Sequence, residues 1–209
     1  MASTYDNAAR AERARETRLR IVLTARDILL AGGYPTVTIT SLARTAEVSP
    51  QTVYNSIGGK AAVVKAVYDH LLAGGDEPVP VGARPQFVAM SQACNRSSML
   101  TAYAALRRRI HEGVGPLLAQ LLHIGAAADP LPSDLVDTIE TERRTGVTRM
   151  ATAMAERHGL PDGISLDEAI DILLTLTAPE VGDRLIRRCR WTAEQFERWL
   201  ARMMVASLG

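Results

Sequence analysis

A chain of 209 residues suits one large or two small domains, and 47% hydrophobic with 22% charged residues is the balance of an ordinary globular protein. No segment approaches the roughly 18 consecutive apolar residues of a spanning helix. The start, MASTYDNAARAERARETRLR, lacks the apolar centre of a secretory signal, and Cys94 and Cys189 form no CxxC or metal-ligand spacing. The expectation is a cytoplasmic protein with two ordinary thiols, no membrane contact, no metal and no cofactor.

Aromatic residues make up only 4%, so Ala, Leu, Ile, Val and Met must build the core, a palette that favours helices. The net charge of +1 says nothing about nucleic acid, but its distribution says slightly more. Residues 1–75 carry nine basic against six acidic residues, and residues 76–209 carry fifteen against seventeen.

In chain order, residues 8–31 read as one long helix with an apolar stripe of Ile21, Val22, Ala25, Ile28 and Leu29, ended by Gly32-Gly33. Its first turns hold Arg10, Arg13, Arg15, Arg18 and Arg20, readable as a phosphate-touching arm or as arginines paired along the helix with Glu12 and Glu16. Thr38 or Thr40 caps a short helix running through Thr45, with Ile39, Leu42, Ala43 and Ala46 inward. Val48 plugs a corner, Ser49 caps the next helix, and Pro50 suits its first position. Val53 and Ile57 hold this second helix to the core, which leaves Gln51, Thr52, Tyr54, Asn55 and Ser56 outward. That face is polar and hydrogen-bonding, as base-edge and phosphate contacts require, where a merely solvated helix would more typically show Glu and Lys. Gly58-Gly59-Lys60 then opens a helix from Ala61 to Ala73; its free N–H groups suit a phosphate, and Lys60 adds a point charge.

The stretch GGDEPVPVGARP, from Gly74 to Pro85, is the clearest break and divides a domain of residues 1–75 from one of residues 76–209. Beyond it the chain reads as helices from Phe87 to Cys94, from Ser98 to about Ala127, and from Pro132 to His158, the second kinked or broken at Gly115-Pro116. Ser165 caps a helix that Pro179 divides in two, and Thr192 with Gln195 opens the last helix, to about Leu208. No run alternates with a period of two. The fold class is all-α: an N-terminal three-helix helix-turn-helix domain plus a C-terminal helical domain, about nine helices in total.

The order and spacing of Gly33-Tyr34, Thr38-Ile39, Leu42-Ala43, Ala46, Val48-Ser49, Thr52-Val53-Tyr54, Lys60 and Val63 resemble the DNA-binding domain of the tetracycline-repressor (TetR) family of transcriptional regulators. The run PEVGDRLIRRCRWTAEQFERWLARMM, Pro179 to Met204, is similar to that family's carboxy-terminal ending, though less specifically. The resemblance implies that Pro50 to Ser56 is the recognition helix, that Thr38, Tyr54 and Lys60 hold phosphates, and that Ser49, Gln51, Thr52 and Asn55 lie near bases. It also implies a homodimer on a palindromic operator in double-stranded DNA, released by a small-molecule effector in the C-terminal ligand-binding and dimerisation domain. Glu47 replaces the usual corner glycine, Ile57 a phenylalanine, and Ala61 an acid.

Candidates for the effector site are Met90, Cys94, Met99, Tyr103, Arg107, His111, Arg143, Met150 and Met154. Methionines at helical spacing are more often core filler. Arg143 lies in line with Val136, Ile139, Val147, Met150 and Met154, so it snorkels out, pairs with an acid, or meets an anionic ligand. His111 and His123 are too far apart for an i, i+4 pair. The apolar region 166–190 and the late aromatics suggest a dimer interface including Leu173, Leu176, Val181, Leu185, Phe196, Trp199, Leu200 and Met203. The competing classes are a helical enzyme and a protein-binding adaptor that keeps a helix-turn-helix-like hairpin. Against the enzyme, the sequence holds no nucleophile elbow, HExxH or Gly-rich phosphate loop.

Overall fold

A computed structural model describes residues 2–74, 85–122 and 133–209. Ten α-helical segments and no strand occur among these residues. The chain forms two compact units, one built on Met1–Leu71 with Gln120–Leu135, the other on Leu72–Ala119 and Val136–Gly209. Most of the stretch expected to divide the domains, residues 75–84, lies outside the described residues, as does His123.

In the first unit, α1 (Ala2–Gly32) ends where Gly33 takes φ 77°, a left-handed conformation that glycine adopts without a Cβ penalty. A single 3₁₀ turn, Tyr34–Thr36, leads to α2 (Ile39–Thr45), α3 (Pro50–Ser56) and α4 (Lys60–Leu72). The stripe of α1 buries Ile21, Val22, Ala25 and Leu29, and its neighbours bury Leu42, Ala43, Ala46, Val53, Val63, Val64 and Val67. Each of the larger side chains contributes about 1.5–3 kcal/mol by leaving water. Helices α1, α2 and α3 pack on one another, so the short α3 depends on this shared core rather than on its own helix propensity.

The second unit begins with α5 (Pro85–Ser91), followed by α6 (Arg96–Leu122), α7 (Ser133–His158) and α8 (Leu166–Leu176). Helix α9 (Pro179–Gly182) continues as a π-helical turn over Asp183–Arg188, and α10 (Ala193–Leu208) closes the chain. The core is the one the low aromatic content demands. Met99, Leu100 and Leu106 come from α6, Met150 and Met154 from α7, Ile170 and Leu173 from α8, and Phe196, Leu200 and Met204 from α10. Capping follows the polar signals: Ser165 accepts from the Glu168 amide, and Thr192 and Gln195 form a reciprocal box.

Two expectations are corrected. The long helix does not break at Gly115-Pro116; α6 runs through Pro116 to Leu122. A proline ring clashes with the Cβ of the residue before it when that residue is helical, and Gly115 has no Cβ to clash with. Buried Val114 and Leu117 flank the lost hydrogen bond and anchor both sides of it. Leu173, Phe196 and Leu200, expected at a dimer interface, are buried in the chain's own core, where Phe196 stacks on Trp199 and Leu173 and Leu200 are fully enclosed.

His111 of α6 occupies a slot shaped by two glycines. A Cβ on Gly182 would fall 2.3 Å from its Cε1, and one on Gly115 would fall 2.8 Å from its Nε2. The Phe196 ring lies 5.5 Å away, centroid to centroid. Burial pushes the imidazole pKa down from 6.5, helped by Arg107 and opposed by Asp183 and Glu112. Gly182→Ala therefore forces the ring out of its slot, and we expect about 1–3 kcal/mol of lost stability in urea unfolding. The pH response has a definite sign. The folded state resists the proton that the unfolded chain accepts, so stability falls as pH drops below 6.5. Urea midpoints between pH 7.5 and 5.5 should decline more steeply for the wild type than for His111→Asn.

Candidate nucleic-acid interface

The α2–α3 corner sets the geometry of the first unit. Thr38 caps α2 in a reciprocal box: its Oγ1 accepts from the Ser41 amide at 3.0 Å, and Ser41 Oγ accepts from the Thr38 amide at 3.3 Å. After Thr45 the chain closes on itself, with the Ala46 amide on the Leu42 carbonyl at 2.8 Å and the Val48 amide on the Ala43 carbonyl at 2.9 Å. Glu47 sits between them at φ 54°, a left-handed non-glycine residue at the position where the family resemblance places glycine. Leu42, Ala43 and Ala46 are buried beneath the turn, and Val48 is half-buried.

Helix α3 then starts on Ser49, whose Oγ accepts from the Thr52 amide at 3.0 Å and lies 2.8 Å from Thr52 Oγ1. Pro50 fills the first helical position. Val53 is fully buried and turns the opposite face outward, where Gln51, Tyr54 and Asn55 are exposed and Thr52 and Ser56 half-buried. Tyr54 keeps 53% of its surface, high for an aromatic side chain. The amides of Gln51 and Asn55 are hydrogen-bonded to each other, Nε2 donating to Oδ1 at 2.8 Å. Lys60, at the start of α4, places Nζ 3.9 Å above the Tyr34 ring, a cation–π contact.

The arginines of α1 divide between roles. Arg15 pairs with Glu12 at 3.4 Å, and Arg13 Nε donates to the Ala9 carbonyl. Arg18 instead reaches across to donate to the Ser56 carbonyl, the last of α3. Sequence reasoning missed that link, although a signal existed: position 18 extends the buried 22, 25, 29 stripe by one turn. A guanidinium there borders the core and finds the nearest unpaired helix end.

In the second unit the effector candidates separate. Met90, Met99, Tyr103, Met150 and Met154 are buried in the core, while Cys94 is exposed near the start of α6. Arg107 and Arg143 both reach the end of α8, where Arg107 Nη2 donates to the Thr177 carbonyl at 3.2 Å and Arg143 Nη2 at 3.3 Å. Arg143 also pairs with Glu140, and only 10% of its side chain is exposed. Burial raises the Tyr103 pKa, partly offset by the positive charges of Arg107 and Arg143. Among the described residues no group of His, Cys, Asp and Glu could hold a metal ion, and no helix is long and apolar enough to cross a membrane.

No family model matches the sequence. The chain is similar to the uncharacterised HTH-type transcriptional regulator YdeS of Bacillus subtilis (strain 168), at 24% identity over 178 residues, covering 82% of this chain and 84% of that relative. Among solved structures it matches the fatty acid degradation regulator FadR from Bacillus halodurans with a TM-score of 0.65 at 10% identity, covering 88% of this chain and 92% of that one. It matches a TetR transcriptional regulator from Chloroflexus aurantiacus J-10-FL with a TM-score of 0.61 at 16% identity, covering 94% and 98%. At these identities the likeness shows the fold: the chain has the all-α architecture of TetR-family regulators.

The strained corner makes a prediction. Glu47→Gly should raise stability by about 0.5–1 kcal/mol, the left-handed penalty less the added freedom of the unfolded chain, as read from urea midpoints. A lower midpoint would mean that the Glu47 side chain itself holds the turn.

Proposed function

From the TetR-family fold, we propose that the chain is a sequence-specific DNA-binding transcriptional regulator, a homodimeric repressor that a small molecule releases from a palindromic operator. The observation that carries this reading is the two-sided α3. Its back is clamped by Val53 and Arg18, and its front offers Gln51, Thr52, Tyr54 and Asn55 with no Glu or Lys among them. A helix presented so rigidly, with donors and acceptors outward, fits the major groove. Thr38, Tyr54 and Lys60 serve the phosphates on either side, and Ser49 and Pro50 bring the start of the helix to the base edges.

Two-fold symmetry places the second α3 about 34 Å away, one turn of DNA. The dimer contact falls on Leu176, Val181, Leu185, Trp199 and Met203, apolar side chains left half-exposed on α8, α9 with its π turn, and α10. Effector binding in the region 76–209 changes the separation of the two recognition helices, which is how a ligand distant from DNA controls affinity.

Selection from a random duplex pool at moderate salt should recover a palindrome. Recovery of no preferred duplex defeats this reading and favours a protein-binding adaptor. On the selected duplex, Gln51→Ala should cost about 1–3 kcal/mol and relax the preference at one position of each half-site. Lys60→Ala should weaken all duplexes alike and lower the salt slope by about one per protomer.

A further inference from the structure

We propose that Tyr103, Arg107 and Arg143 bind the carboxylate or phosphate head of an anionic effector. The inference rests on the regulator reading, which it extends by naming the ligand's chemical class. Arg107 from α6 and Arg143 from α7 converge on the Thr177 carbonyl, at 3.2 and 3.3 Å, and Arg143 reaches the Leu174 carbonyl at 3.5 Å. Closing a helix end needs fewer cations than this. Arg157 alone holds the carbonyls of Met90 and Ser91 at the end of α5 and of Ala93 just beyond it, at 3.0, 2.9 and 3.1 Å.

Two cations at the end of α8 are therefore more than that end requires, and both are incompletely used. The Nε–H of Arg107 and the Nε–H of Arg143 are buried with no acceptor. Buried donors of this kind are rare and costly, and a matched pair from two helices suggests a partner that comes and goes. The charge count agrees. The carboxylate on Arg143 is Glu140, itself 56% exposed, and among the described residues no carboxylate pairs with Arg107. Tyr103 is buried one helical turn before Arg107 on α6, and its O–H can donate to an incoming anion.

Guanidinium forks and a phenol are the donor set that carboxylates and phosphates take. The buried core that Tyr103 belongs to is mostly aliphatic and thioether, including Leu106, Met150, Met154 and Leu173, which suits an acid with an apolar body. An anion on the two forks competes directly with the Thr177 carbonyl. It thereby loosens the junction between α8 and α9, and the proposed dimer residues Leu176 and Val181 lie on either side of that junction.

The test is thermal unfolding of the full chain without DNA, at constant ionic strength. The probes are octanoate, benzoate and inorganic phosphate against chloride, with octanol and benzyl alcohol as uncharged counterparts. At least one anion should raise the Tm of wild type above chloride and above its uncharged counterpart. Response to an organic acid but not to phosphate identifies a carboxylate with an apolar body, and the reverse identifies a phosphate. Arg107→Gln and Arg143→Gln should abolish the shift. The more conservative Arg107→Lys and Arg143→Lys, which keep charge and length, should weaken binding about tenfold or more. A wild type indifferent to all three anions, or an equal shift in wild type and lysine variants, overturns the proposal. So does anion binding that leaves affinity for the selected duplex unchanged. Failure to select a duplex defeats the regulator reading instead, because the anion response is measured without DNA.

Discussion

A helix ends with carbonyls that have no partner of their own, and the way this chain meets that need organises both of its units. Arginine makes up 22 of its 24 basic residues, and at several helix ends among the described residues it is a guanidinium from elsewhere that arrives. Arg18 meets α3, Arg157 meets α5, and Arg107 with Arg143 meets α8. A guanidinium suits the task because it spans two or three carbonyls, stays charged, and matches the negative end of the helix dipole. Each such bond also ties one helix to another, so local satisfaction becomes tertiary structure. The short α3 shows the dependence most clearly, since seven residues cannot hold a helix alone.

Local signals carried most of the fold into the sequence. Capping by Ser49, Ser165 and Thr192 depends on groups three residues apart and occurs where the polar spacing places it, while of the two candidates Thr38 and Thr40 it is Thr38 that caps α2. The left-handed Glu47 was legible through the family resemblance, which implies a glycine at that corner. The exposed front of α3 follows from Val53 being the residue that must be buried.

What was not legible depends on distant partners. Position 18 continues the apolar stripe by one turn, but the carbonyl it meets is known only once α3 is placed beside it. The continuity of α6 across Pro116 turns on the bare Cα of Gly115, which sequence rules weigh less than the proline. Leu173, Phe196 and Leu200 carry the same apolar signal whether they face their own core or a second copy, and periodicity cannot separate the two. Arg143 was recognisable as anomalous in an apolar stripe, but its convergence with Arg107 on Thr177 requires three helices to be in place.

The bond between Gln51 and Asn55 has a consequence for how such a protein would search a genome. With these two amides holding each other, the face proposed to meet DNA has some of its hydrogen-bonding capacity already occupied. A duplex that offers only phosphates gives no reason to part them, so a regulator of the proposed kind would travel along it on ionic contacts with this pair latched. An adenine edge, which presents a donor and an acceptor together, is the kind of surface that can replace what the pair loses. Discrimination would then arise as an exchange of partners, in which wrong sequences fail by leaving the latch closed and need no clash to exclude them.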